Sequence, residues 1–562
     1  MKKLLAMLLA VFMTFTASIG GVVAMADEGS TVDHSTTITI DVYDVAANYQ
    51  GVMTGWFANI IKDKFNVEIN IIAPQVAGDG AALYQTRCSS GNLGDIVILD
   101  NSDMIDCIQS GLVKDISADI WNYTNLADYQ EQISTFNNMI ESANGGIYAI
   151  PCGMTNTSPT TSSSTDAIAQ PQLPWDLYTE LGRPEIKDLD GLLDVLEDMI
   201  ELYPTNADGD SVYPITMWSD WDSTHLANIS ELCYWYGCEV NGSITIDVDG
   251  NMKDLVAEDG YYKKIAKFFF DAKQRGLVDP DSGTQDWNTV CSKMTNKRVL
   301  LLWSSWMDGF YNNDAHNANG ENYMYIPITD TFYYMTSDSY YGGSRAWGVG
   351  SQVDDEKYAR IMEFLDWYAS PESVLYQASL IKGFNYEEDE NGKYYITLAD
   401  AAVNNEIVPD EFGGGGMSDG SNKLNQWIVS SSSINPANGE AYSSSFWSSE
   451  QNKEKLRTDS EWSELYGGAN TVVECMQNMN QVKIVPSVNL VLEQDDTDIS
   501  LIRSECGNIV CEYSWKMIFA DDEDTFNALW DEMKQNLSDY GWEDLVNFDM
   551  QKYQPVVDVR NK

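Results

Sequence analysis

The chain is short of basic residues. Lys and Arg total 33 against 86 Asp and Glu, and only three His are present, for a formal net charge of −53. Phosphate backbones and anionic lipid surfaces are held by clustered Lys and Arg, so this balance excludes nucleic acid as a partner and argues against binding to acidic membranes. A large acidic excess is expected to solvate the surface. The nine cysteines contain no C-x-x-C spacing. With so few histidines, no zinc site is expected. Their odd number and wide scatter do not read as a disulfide framework, although Cys233/Cys238 and Cys506/Cys511 are candidate local pairs. Most are expected to be buried thiols.

The motifs of common catalytic designs are missing too. There is no G-x-S-x-G nucleophile elbow and no H-E-x-x-H zinc motif, and neither His225 nor His316 lies in a triad context. A pair of glycosidase carboxylates can lie anywhere in a sequence, so 86 acidic residues do not argue for one. No cofactor and no metal are expected. Asn206–Asp210 resembles the start of a calcium loop, but it lacks the glycine at the sixth position, and Met217 stands where the bidentate Glu should be. An acidic turn is the expectation there. After the first 30 residues no apolar run reaches membrane-spanning length.

What is present starts with an address. Lys2 and Lys3, an apolar run over Leu4–Ile19 and the small-x-small site Ala24–Ala26 form a secretory signal peptide cleaved after Ala26. A secreted or extracellular location follows. No cysteine stands at the cleavage site to carry a lipid.

Thr37–Asp103 then organises the fold. Ile38, Ile40 and Val42 alternate with polar residues, as in a strand with one buried face. Gly51–Phe65 carries a helical apolar stripe, Val67–Ile72 is a second strand, Ala81–Ser89 a second helix, and Gly94–Leu99 a continuously apolar strand. This β-α-β-α-β order predicts a doubly wound α/β unit with a parallel sheet, whose ligands sit beyond the carboxyl ends of the strands. Two polar loops fall there. One contains Asp44, Tyr49 and Gln50; the other contains Asp100, Asn101 and Asp103. Neither has the glycines of a phosphate cradle.

Farther along, Thr155–Pro171 is rich in Ser, Thr and Pro and reads as a crossover between two domains. Helices are expected over Ile186–Glu201, Tyr261–Arg275, Glu356–Tyr368 and, as the last element, Asp521–Leu537. Lys297–Leu302 reads as a buried strand, with further strands at Tyr323–Ile328 and Ala346–Gly350. The serine runs near Ser430 and Ser443 read as flexible surface loops.

Aromatic residues are plentiful, with 17 Trp and 31 Tyr, more than the core of such a chain requires. Trp218/Trp221 and Trp303/Trp306 each follow a short apolar run. A tryptophan face stacks on the C–H face of a sugar ring while polar neighbours take its hydroxyls, the general logic of small-ligand sites. Tyr341, Arg345 and Trp347, around two glycines before a strand, complete the candidate ligand residues. The alternative for each tryptophan is a place in the core.

Several segments together resemble a known family. They are Ile38–Ile72, Gly91–Ile96, Gly146–Pro151, Pro174–Tyr178 with Pro184–Ile186, Asn296–Leu300, Trp347–Gly350 and Phe364–Pro371. In order and spacing they resemble the extracellular solute-binding proteins of ABC importers, family one, in its maltose-type and long Gram-positive oligosaccharide branch. The resemblance implies a type II periplasmic-binding fold, in which two α/β lobes joined by hinge strands enclose a ligand. On that frame residues 1–26 are leader, 27–36 linker, 37–151 the first part of lobe one and 152–322 lobe two. Residues 323–400 are the return to lobe one with the hinge, and 401–562 are C-terminal segments packing on both lobes, helical toward the end. It further implies a monomer that carries an oligosaccharide to ABC permease subunits and makes or breaks no bond. Trp306 takes the place of the stacking aromatic, and Asp100–Asp103 that of the first-lobe polar loop. Peptide or other small-solute binding, and a secreted glycoside hydrolase, are the alternatives.

Overall fold

The computed structural model describes residues 32–77, 80–451, 454–489, 492 and 495–561. The leader and its cleavage site lie outside the described residues.

Two separate cores form. The first surrounds a six-stranded sheet in the order Gly51–Val52, Val67–Ile72, Ile38–Asp44, Ile96–Asp100, Arg345–Val349, Ala149–Pro151. Ile38–Asp44 runs parallel to both of its neighbours. Helices Trp56–Phe65 and Gly80–Ser90 make the crossovers. Ile40 and Val42 are fully buried in one layer, as their alternation predicts. Tyr43 is buried as well, on the opposite face beneath helix Asn101–Gln109. The strand is therefore covered on both sides rather than one. Arg345–Val349 enters antiparallel between Ile96–Asp100 and Ala149–Pro151. A strand reaching the first sheet only after the chain has built a second body is the arrangement that the resemblance implies.

The second core begins at Ala167. Ala169–Pro174 is the middle of a three-stranded sheet, antiparallel to Leu302–Ser304 and Tyr323–Tyr325. Single-residue parallel bridges at Tyr213/Val299, Ile215/Val278 and Ile186/Ile328 extend it. Helix Leu189–Leu202 covers it, started by the Asp188 side chain accepting from Gly191 N. The Asp-Gly turn at Asp249–Gly250 joins strands Ile244–Asp247 and Met252–Asp254, with Gly250 at φ 81°.

Several expectations need correction. Within Lys297–Leu302 the residues Val299 to Leu302 are buried, but regular pairing covers only Leu302–Ser304. Tyr323–Tyr325 and Tyr333 belong to the second core, so the return to lobe one starts after Thr336, not at 323. Residues 401–447 pack in the first core and 462–557 in the second. The fold does not end with Glu523–Asp539. A further helix, Trp542–Arg560, follows and accommodates Pro555 in its interior.

The chain passes between the cores along neighbouring segments. Ser163 donates from N and Oγ to Asp338 Oδ1, at 3.0 and 2.9 Å, and Asp338 N donates to Thr161 O. Ser487 N donates to Ser337 Oγ, and Asn489 Nδ2 to Gly342 O. Gly342 holds φ 91°, and a Cβ there would fall 2.3 Å from Pro151 Cβ. The turn back into the first sheet therefore requires glycine on two counts.

Among the described residues no helix is long and apolar enough to cross a membrane.

Candidate functional site

Three cavities run from one core to the other. The first, about 460 Å³, lies on the first lobe against Cys152, Gly343, Arg345, Asn425, Gln426 and Trp427. The second, about 430 Å³, lies over the crossovers against Asp166, Ile168, Tyr334 and Asp338. The third, about 280 Å³, lies on the second lobe against His225, Glu231, Tyr234, Ser304 and Trp306. Ser339 and Ser430 line the first two, and Ile168 and Tyr234 line the last two. The three form one groove.

The expected aromatics separate by depth. Trp303, inside strand Leu302–Ser304, is fully buried and stacks on fully buried Trp218 with ring centroids 5.4 Å apart and planes 2° apart. Both are core residues. Three residues on, in the 3-10 turn Ser305–Phe310, Trp306 comes out 44% exposed, and Trp221 is 38% exposed. Trp287 sits between them, 4.5 Å from Trp221 and 5.4 Å from Trp306. It went unnoticed in the sequence because it opens a helix rather than following a strand. Trp347 is fully buried against Tyr368 and lines none of the three cavities. Tyr341 packs edge-on against Tyr340 and lines none of the three cavities.

On the first lobe, Arg345 lines the groove with its Nε 2.9 Å from Asp100 Oδ1, an ion pair too poorly angled for a hydrogen bond. Asp44 lies behind it, fully buried. Its Oδ1 accepts from Ala46 N, its Oδ2 has no partner, and burial pushes its carboxyl up to about 6. Asn101 is spent on the fold, donating from Nδ2 to Gly343 O. Gln50 Oε1 accepts from Ala73 N, and Tyr49 donates to Val52 O with Lys423 Nζ 4.6 Å from its ring. Asp103 is raised by burial and by its neighbours Asp100 and Asp106. Asp44, Tyr49, Gln50, Asn101 and Asp103 do not line the groove.

The first-lobe wall is instead completed by Asn425, Gln426, Trp427 and Ser430, a segment with no periodicity to betray it. The serine run there is no free loop. Ile428 and Val429 are fully buried, and Val429 bridges to Met154.

On the second lobe, Glu231 Oε2 accepts from Trp303 Nε1 at 2.9 Å and Ser304 Oγ at 3.3 Å, while burial raises its carboxyl. Burial pushes His225 down to about 4, so it is neutral at neutral pH, and its Nδ1 has no partner. Beside Trp306, Asp308 is pushed up to about 7, by burial first and then by Asp166.

That last shift has a measurable sign. Between the ordinary 3.8 and about 7 the folded chain keeps a proton at Asp308 that the unfolded chain releases, so this group costs stability as pH rises through that window. Asp308→Asn is expected to gain melting temperature relative to the wild type between about pH 4 and pH 7. Thermal melts across pH check it, and a difference that does not change with pH would contradict it.

Among the described residues no cluster of His, Cys, Asp and Glu is placed to hold a metal ion. Asn206–Asp210 is a hairpin in which Asn206 Oδ1 accepts from the N–H groups of Asp208 and Asp210.

Two α/β cores, a strand returning from one into the sheet of the other, and a groove between them define a two-lobed solute-binding protein. Residues 56–385 match the family model of the bacterial extracellular solute-binding proteins, and the chain belongs to that family. No curated protein matches it. Solved structures share the fold. The S. pneumoniae ABC-transporter substrate binding protein FusA, an EF-hand mutant in complex with fructo-nystose, has 15% identity and a TM-score of 0.60, over 93% of this chain and 100% of that one. An extracellular solute-binding protein from Bifidobacterium longum subsp. infantis has 14% identity and a TM-score of 0.61, over 92% and 98%. The HMO binding, ABC-transporter associated protein from Bifidobacterium longum infantis has 13% identity and a TM-score of 0.59, over 93% and 99%.

Proposed function

We propose that this protein captures an oligosaccharide in the groove between its lobes and delivers it to the permease subunits of an ABC importer, working as a secreted monomer. The observation that carries this reading is the pairing of walls. Trp306 offers an open aromatic face on one side, and Arg345, Asn425 and Gln426 offer hydrogen-bonding groups on the other. Sugar rings need both, since their C–H faces are apolar and their edges are hydroxyls. The similar structures of FusA, in complex with fructo-nystose, and of the HMO binding protein support the same class.

The mechanism is closure of the lobes about the crossovers at Thr161–Ser163 and Ser337–Gly342, which absorb the rotation. Asn425, Gln426 and Arg345 take hydroxyls, Trp306 stacks, and no bond is made or broken.

The test is a binding screen of the purified chain against neutral oligosaccharides and peptides, read by tryptophan fluorescence, with the ligand recovered and sized. Saturable glycan binding with intact recovery is expected. Peptide binding alone would overturn the sugar assignment and leave a solute binder. Shortened glycan would make the protein a hydrolase.

A further inference from the structure

The groove's end on the second lobe is a built cavity rather than an open shelf. Trp306 and Tyr234 form its aromatic sides, and His225, Ser230, Glu231 and Ser304 its polar lining. Glu231 projects from helix Ala227–Cys233 with one oxygen fixed by Trp303 and Ser304. Among the described residues, no donor reaches its Oε1. A half-buried carboxylate with one oxygen open to the cavity can accept from ligand hydroxyls that take the place of solvent.

The charges without an ion-pair partner that line this stretch of the groove are negative. Asp166 and Asp338 line the middle cavity and take hydrogen bonds from Thr165, Gln170 and Ser163, none of which carries a charge. Glu239 is matched, by Arg560 at 2.6 Å. Tyr334 is 2% exposed, and its hydroxyl has no partner where it lines the same cavity. The guanidinium of Arg345 is at the far wall, held beside Asp100. His225 brings a neutral ring.

We propose that this cavity is the subsite that sets the class of glycan: it takes a neutral, hydroxyl-rich terminal ring and rejects one bearing a carboxylate, with Glu231 as the specificity-determining residue. The proposal rests on the oligosaccharide reading above. A neutral ring supplies the hydroxyl hydrogens that Glu231 Oε1 lacks. A uronate ring brings a second negative charge to a cavity that contains no cation to meet it.

The experiment uses one oligosaccharide that binds the wild-type chain, and the same glycan oxidised at its terminal primary alcohol to the uronate, both titrated by calorimetry. The neutral form is expected to bind about 10- to 100-fold more tightly, the span of a hydrogen bond to a charged group. Glu231→Gln keeps an acceptor for Trp303 and removes the charge. It is expected to bring the two affinities within about 5-fold of each other, by weakening the neutral form and improving the uronate. The wild-type ratio needs no variant, so poor folding of Glu231→Gln leaves the proposal testable. Equal affinity of the wild type for both forms, or an unchanged ratio in Glu231→Gln, overturns this proposal and leaves the oligosaccharide reading standing. Failure of every oligosaccharide in the screen to bind the wild-type chain overturns both.

Discussion

Trp306→Ala is expected to weaken glycan binding by about 30- to 150-fold while leaving the melting temperature almost unchanged. Stacking on a sugar takes on the order of 100 Å² of this ring's surface out of water, worth roughly 2–3 kcal/mol at about 25 cal/mol per Å². The fold loses little, because Trp306 is 44% exposed and rests on Trp221, Trp287 and Phe310, which keep their own contacts. Trp303→Ala, three residues earlier, should do the reverse. That ring is fully buried, so its removal leaves a cavity and costs about 3–5 kcal/mol of stability. It also frees Glu231 Oε2 from its indole partner. Calorimetry and thermal melts on the two variants separate the roles. A Trp306→Ala protein that binds glycan as tightly as the wild type would remove Trp306 from the site.

The second large effect is structural. Arg503→Leu is expected to cost about 3–5 kcal/mol, the usual consequence of stranding a buried charge. The stranded group is Asp549, whose side chain is 1% exposed. It accepts from both Arg503 Nη atoms, at 2.8 and 2.7 Å, and from Ser243 N and Oγ. Arg503 lies on helix Thr497–Ile518, Asp549 on helix Trp542–Arg560, and Ser243 at the turn before strand Ile244–Asp247. The ion pair thus joins two of the C-terminal helices, and Ser243 ties Asp549 to the second lobe. Arg503 also holds Asp495 below the usual carboxylate range. That part of the stabilisation is present above the ordinary 3.8 and fades as pH falls through and below it, so the cost of Arg503→Leu should shrink in acid. Adding Asp549→Leu removes the stranded charge and should return part of the loss. Urea melts of both variants check this, and a single variant as stable as the wild type would contradict it.

The first lobe was legible in the sequence because its elements keep strict periods. Ile40 and Val42 on one strand, the stripe of Trp56–Phe65 and the unbroken Ile96–Leu99 each point to one geometry. Arg345 and Trp306 were legible because strand ends in such folds face the ligand, and both sit within three residues of one. The same rule misplaced Trp303 and Trp347. A strand end carries residues on both faces, and sequence does not say which face is turned to the cleft. Asp44 and Asp100 fell at the right edge of the sheet, but the groups around them are hundreds of residues away in the chain. The charge of Arg345 acts on Asp44, and its side chain pairs with Asp100. Asn425, Gln426 and Trp427 carried no signal, since an irregular segment held by backbone bonds to Gly153 and Met154 has no period to read. Helix Trp542–Arg560 was hidden by Pro555, which usually ends a helix but here lies near its last turns.

Enclosure of a glycan between the two lobes is tested most directly by small-angle X-ray scattering on the wild-type chain, with and without a saturating oligosaccharide identified in the binding screen. A smaller radius of gyration on saturation is expected, as the lobes close about the Ser337–Gly342 crossover. Saturated binding with an unchanged radius would contradict capture by closure.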